Sequence, residues 1–157
     1  MEEFLIDEQF LTAITAIAKE ATKSIYISTF KAERTTKRKG EKLKEFFDVL
    51  TEKARTGVDV RLIINKGDNR GHIPTTNIEV IRLLKQTKIK VRHLTDGYLC
   101  HAKIFIVDKT TAVCGSHNLS VRSCHNNFEV SCQIKESIHI KHLADVYEWK
   151  WENAKDN

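Results

Sequence analysis

The sequence predicts an α/β fold, a mixed parallel and antiparallel sheet flanked by helices on both faces, within one domain spanning residues 1–157. Three observations lead there. Segments with helical apolar spacing alternate with short β-branched runs through the first half of the chain. Later, two such runs are separated only by a turn, as in an antiparallel hairpin. Finally, 41% apolar content in 157 residues suffices for a single core but leaves no room for two large halves.

The elements follow in order. Phe10, Leu11, Ile14, Ile17, Ala18 and Ala21 mark a first amphipathic helix, and Ser24 to Thr29 a strand. Leu43, Phe46, Phe47, Leu50 and Ala54 make a second helix ending at Gly57, before a strand from Val58 to Asn65. Thr76 and Glu79 have capping-box spacing and open a third helix that runs through Leu84. Strands follow at Ile89 to Leu94, His101 to Val107, Thr111 to Cys114 and Phe128 to Ile134. Ile140, Leu143, Ala144, Tyr147 and Trp151 have the spacing of a last helix, in which Trp149 and Trp151 read as core or dimer contacts rather than a platform for bases.

Composition narrows the class. The opening MEEFLIDEQF is acidic and lacks a basic flank with a long apolar run, and nowhere are eighteen consecutive residues apolar. The reading is therefore a soluble, cytoplasmic protein in which no signal peptide is apparent, although a chain trimmed of a leader would look the same. Cys100, Cys114, Cys124 and Cys132 show no C-x-x-C spacing, so buried reduced thiols are expected and neither a zinc site nor any other metal or cofactor.

The chemistry concentrates in HAKIFIVDKTTAVCGSHN, where His101, Lys103, Asp108, Gly115, Ser116 and Asn118 form the pattern H-x-K-x4-D-x6-G-S-x-N. With a two-residue turn at Lys109 and Thr110, His101 falls opposite Asn118 and Lys103 opposite Ser116, so all four side chains share one face. A one-residue slip would break that arrangement. An imidazole beside an ammonium, an amide and a hydroxyl suits attack on phosphorus: His101 as nucleophile, Lys103 and Asn118 on the non-bridging oxygens, Ser116 as a further donor. No carboxylate cluster accompanies them to hold magnesium.

The pattern resembles the HKD signature of the phospholipase D superfamily, which joins nucleases, phospholipases and phosphatidyltransferases that act on phosphodiesters through a phosphohistidine. The resemblance implies a phospholipase D-like fold, His101 as nucleophile, and Lys103, Asn118 and Ser116 in one phosphate pocket. It further implies that Glu129 orients His101 through the far imidazole nitrogen, and that Asp108 and Gly115 are structural.

One histidine cannot serve as nucleophile and as general acid in the same step. Of the other histidines only His139 begins an H-x-K, in a predicted helix and with no G-S-x-N downstream. A two-fold homodimer with both His101 side chains at its axis supplies the missing group, and the resemblance to single-signature members implies the same. The net charge of +5 is concentrated: Lys31, Arg34, Lys37, Arg38 and Lys39 lie in one loop, Lys66 and Arg70 in a second, and both are candidates for binding a polyanion. The expected function is thus a metal-independent nuclease acting on DNA or RNA. The alternatives are a phospholipid hydrolase acting on lipids such as cardiolipin, with a membrane partner less favoured, and a nucleic-acid-binding module without catalysis.

Overall fold

A computed structural model of the chain describes residues 2–35, 38–67, 73–95 and 97–157. The elements are β1 (Glu3–Ile6), α1 (Gln9–Glu20), β2 (Ser24–Thr29), α2 (Glu41–Arg55), β3 (Asp59–Ile64), α3 (Thr76–Leu84), β4 (Lys90–His93), β5 (Lys103–Val107), β6 (Thr111–Gly115), α4 (Val121–His125), β7 (Val130–Ile134), α5 (Ser137–Glu152) and β8 (Lys155–Asp156). The strands form one sheet in the order β1-β7-β6-β5-β2-β3-β4-β8. β2, β3 and β4 are parallel and joined by helical crossovers, whereas the remaining pairs are antiparallel.

Alternation along the central strands divides the core in two. Ile25, Ile27, Leu62, Ile64, Phe105 and Val107 face α1, α2 and α3. Tyr26, Ile63, Ile106 and Ala112 face α5, which supplies Ile140, Ala144, Tyr147 and Trp151. The mixed sheet with helices on both faces is the predicted fold.

α5 covers only part of its face. Further along it, the register Phe4↔Cys132↔Cys114↔Ile104 places four apolar or thiol side chains on the same side. Phe4 is 67% exposed, Ile6 and Val130 are exposed beside it, and Ile104, Cys114 and Cys132 are only half-buried.

Two expectations need correction. The β5–β6 turn is centred on Asp108 and Lys109, not on Lys109 and Thr110: both carry positive φ (52° and 55°), and Thr110 N–H donates to Val107 O at 3.0 Å. The register is therefore one residue off, with Lys103 opposite Gly115 and Val107 opposite Thr111. The physical reason is that aspartate tolerates the left-handed region and its carboxylate is pinned there from outside the hairpin. Second, the Thr76–Glu79 capping box is not formed: α3 opens one residue earlier, with Thr75 at the cap and Asn77 N–H and Ile78 N–H donating to Pro74 O and Thr75 O. Of the two tryptophans read as core or dimer contacts, Trp151 lies in the core and Trp149 is exposed on the single chain. β1, α4 and β8 had no counterpart in the sequence reading.

Candidate active site

With the register shifted, the ladder alone would turn Ser116 and Asn118 away from Lys103. The chain leaves the ladder here. Ser116 pairs with β7, its N–H donating to Val130 O and its Oγ accepting from Val130 N–H, both at 3.1 Å. Three residues on, Leu119 N–H donates to Lys31 O and Leu119 O accepts from Glu33 N–H, beyond the end of β2. Because β6 and β5 lie between β7 and β2, the segment 116–119 crosses the end of β5 at which His101 and Lys103 stand.

The side chains there meet closely. Lys103 Nζ lies 3.1 Å from His101 Nδ1 and donates to His101 O at 2.6 Å. Phe30, just after β2, lies under both, 5.2 Å from the His101 ring and 5.7 Å from the ammonium. Asn118 Oδ1 accepts from Lys31 N–H at 3.1 Å and from Thr29 Oγ1 at 3.3 Å, which fixes the amide and leaves its NH2 as a donor. Thr29, Lys103 and His117 line one small cavity. Burial lowers the proton affinity of Lys103, while the charges of Cys100 and Glu129 oppose that shift.

Two buried asparagines, neither singled out from the sequence, hold this end of the sheet. Asn65 acts like a strand residue toward Cys100: its Nδ2 donates to Cys100 O and its Oδ1 accepts from Cys100 N–H, each at 2.9 Å. The residue before His101 is thereby fixed without a neighbouring strand. Asn77, fully buried, donates to Phe30 O (3.0 Å) and Asn65 O (3.1 Å) and accepts from Ala32 N–H (2.9 Å). Removing either amide leaves buried backbone groups unpaired, at a cost of about 1–3 kcal/mol each. One signal was available: Asn77, Val80, Ile81 and Leu84 have core-facing helical spacing, so a polar residue at the first position had to be satisfied internally.

Glu129 lies beside the pocket, but among the described residues its carboxylate does not bond His101. It accepts from Ser123 Oγ and Asn127 Nδ2, both at 3.0 Å. Burial would raise its proton affinity; hydrogen bonds from Ser116, Asn127 and Ser123 outweigh that and hold the carboxyl below its usual range. Ser123 Oγ also accepts from Asn118 N–H at 2.8 Å, so Glu129 acts on Asn118 through one hydroxyl. Gly115 lies where β6 and β7 touch: a Cβ there would come within 2.4 Å of Ser131 Cα, Ser131 Oγ and Val130 O. Behind it His117 is buried against Phe10, with Ser131 Oγ and Asp7 O at its two nitrogens.

Asp108 stands at the opposite end of β5. One oxygen accepts from Thr22 N–H and Thr22 Oγ1, and the other from Lys23 N–H and Ser24 N–H, at 2.7–2.9 Å. It ties the hairpin to the α1–β2 linker and stays far from the pocket.

The basic residues divide. Lys31 faces Glu33 at 3.7 Å, and Arg34 shares Asp48 with Lys44. Arg38 and Lys39 are exposed and, among the described residues, form no ion pair; with Glu33, Thr35 and Val121 they line a hollow beside α4. Lys66 is exposed after Asn65. Lys37 and Arg70 lie outside the described residues. Among the described residues no group of three or more His, Cys, Asp or Glu is placed to hold a metal ion, and no helix is long and apolar enough to cross a membrane.

A family model described as "Cardiolipin synthase, PLD-like domain" matches residues 14–151. Cardiolipin synthases of Alkalihalophilus pseudofirmus and Halalkalibacterium halodurans are 31% and 32% identical over 102 residues, 64% of this chain. The chain spans about a fifth of the length of those curated relatives (20% in both). Among solved structures, Nuc of Salmonella typhimurium, a phospholipase D family member, superposes with a TM-score of 0.79 at 18% identity, covering 100% of this chain and 99% of that one. NucT of Helicobacter pylori gives 0.79 at 16% identity, with 100% and 99% covered. TrmBL2, an archaeal chromatin protein with a novel mode of DNA binding, gives 0.62 at 13% identity, with 100% and 55% covered.

Proposed function

The chain belongs to the phospholipase D-like family, and from that premise we propose that it is a metal-independent phosphodiesterase, a nuclease acting on DNA or RNA at a site completed by a second copy. The observation that carries this reading is that Lys103 meets His101 at one end of β5 while the segment carrying Asn118 crosses that end, the Asn118 NH2 group being without a hydrogen bond among the described residues. A phosphodiester drawn to the Lys103 ammonium competes for the contact that now occupies His101 Nδ1. An imidazole nitrogen then forms a bond to phosphorus as the bond to the leaving oxygen breaks, and the partner's His101 protonates that oxygen. Lys103 and the Asn118 amide stabilise the charge that gathers on the non-bridging oxygens. Water, deprotonated by the partner's His101, displaces the histidine and closes the cycle. The sheet face left bare around Phe4, Ile6 and Val130 supports a second copy, because an apolar surface of this kind marks an association site. Glu129 serves as a positioning residue for Asn118 through Ser123.

Arg38 and Lys39, without an ion pair among the described residues, and the net charge of +5 favour a polyanion as substrate. One observation favours a second reading: the cardiolipin synthase relatives share 31–32% identity, which supports a phospholipid diester as substrate of the same pocket. The deciding experiment incubates wild type and His101→Ala with labelled DNA, labelled RNA and cardiolipin vesicles, each with and without EDTA. Cleavage of nucleic acid that survives EDTA and vanishes in the variant is the expected result. Turnover of cardiolipin beside inert nucleic acid selects the lipid reading, and strict dependence on added magnesium overturns the mechanism.

A further inference from the structure

The loop leading into His101 meets the end of α5 in a cleft of about 190 Å3, lined by Leu94, Thr95, Tyr98, Trp149, Lys150 and Asn153. Its walls are two exposed rings, Tyr98 (67%) and Trp149 (61%). Lys150 Nζ lies 4.9 Å from the centroid of each, so the centroids are no more than twice that distance apart. A planar ring sandwiched between two others needs a gap of roughly 7–8 Å, two van der Waals separations. The walls are tied together: Thr95 Oγ1 donates to Asn153 O at 3.4 Å, Arg92 Nη1 to Trp151 O at 2.9 Å, and Tyr98 N–H to Thr95 O at 3.2 Å, with Gly97 at φ 78° in that turn.

We infer that this cleft is a stacking subsite for an unpaired base of single-stranded nucleic acid lying beside the scissile phosphate. Tyr98 and Trp149 hold the base, and Lys150, displaced from between them, takes an adjoining phosphate. Placement agrees: Tyr98 precedes His101 by three residues, so their backbone positions are at most about 11 Å apart. So does chemistry, since two π-faces with a cation between them match a flat, π-faced, negatively charged ligand and do so for any base. Rings meant for a lipid surface would project outward, whereas these face a cleft with an ammonium in it. The adjacency to a scissile phosphate rests on the nuclease reading above; the stacking itself does not.

The two tryptophans make the test direct. Trp151 is 4% exposed, so quenching of intrinsic fluorescence by a ligand reports Trp149. Titration with single-stranded oligonucleotides should quench it, and duplex of equal length should quench it far less. Trp149→Ala should bind a labelled single strand about tenfold more weakly, the scale of one base–aromatic stack, while Trp149→Phe retains most of the affinity. Tyr98→Ala and Tyr98→Phe repeat the comparison on the other wall, where the exposed loop position keeps folding out of the result. Unchanged emission with oligonucleotide together with unchanged affinity in both alanine variants overturns the inference, as does an emission shift with cardiolipin vesicles alone. His101-dependent hydrolysis of a small aryl phosphodiester beside an unresponsive Trp149 sinks the subsite and spares the phosphodiesterase. Quenching without cleavage of nucleic acid does the reverse.

Discussion

Asp108→Asn separates the architecture of the signature from its chemistry. Asparagine keeps one carbonyl oxygen and tolerates positive φ, so the turn itself survives. Its NH2 group, however, faces donors that the lost oxygen had served, and two of the four hydrogen bonds to Thr22, Lys23 and Ser24 disappear. Hydrogen bonds to a charged acceptor contribute roughly 1.5–3 kcal/mol each. Water reaches this half-exposed turn and lessens the loss, so the expected destabilisation is about 2–4 kcal/mol at pH 7. For a domain of this size that lowers Tm by about 5–15 °C. The pH dependence follows from the wild-type carboxyl. Burial raises its pKa, but the backbone donors of Ser24, Thr22 and Lys23 and the Thr22 hydroxyl outweigh burial and hold it below its ordinary range. A depressed folded pKa gives stability that is present above the unfolded value, about 4, and is lost as pH falls through the folded value. Urea titrations from pH 7 to pH 3 should therefore show the gap between wild type and variant full at pH 7 and closing below about pH 4. Activity per folded molecule should be unchanged, because the turn lies roughly 20 Å along β5 from His101. A gap that stays flat with pH, or a folded variant without activity, would refute the assignment.

Other substitutions probe the pocket and its surroundings. If each site needs both histidines, mixing His101→Ala with wild type in equal amounts should leave about a quarter of the activity, against one half for independent protomers, in a subunit-exchange assay. Gly115→Ala forces a methyl into Ser131 and Val130 and should cost at least about 1–3 kcal/mol in melts. It should also depress kcat, because it displaces Ser116 and Glu129. Replacing Arg38 and Lys39 by Ser should weaken nucleic-acid binding and flatten its salt dependence by about one unit per lost phosphate contact, read by anisotropy over a salt series.

The long elements were legible because their signals are local: the apolar spacing of α1 and α2 and the β-branched run of β2 survive in the structure with nearly the predicted bounds. β1 was not, since Glu3–Ile6 becomes a strand only by pairing with Val130 to Gln133 at the other end of the chain. The spacing singled out His101, Lys103, Ser116 and Asn118 as a candidate set, but the path by which their segments meet was not legible from it. Placing the turn at Lys109 and Thr110 ignored what holds Asp108 at positive φ, namely donors at Thr22 to Ser24 that no hairpin rule contains. The expected cross-strand convergence is replaced by a crossing segment, which needs the backbone pairing of Leu119 with Lys31 and Glu33. Asn65, Asn77 and Ser123 escaped notice because a satisfied buried polar residue has no mark in sequence beyond its presence in an apolar frame.

The pairing of Asn65 with Cys100 uncouples two tasks that a longer strand would have fused. A strand continuing upstream of His101 would commit each of its residues to a ladder partner, and changes in that stretch would propagate into His101. A single side-chain amide instead moors one residue and leaves the preceding loop without a ladder of its own. The segment carrying Tyr98 can thus vary in length and composition while the backbone at His101 stays in place. If His101 reacts as proposed, what the site grips and what it does to a phosphorus atom are in this way open to independent change.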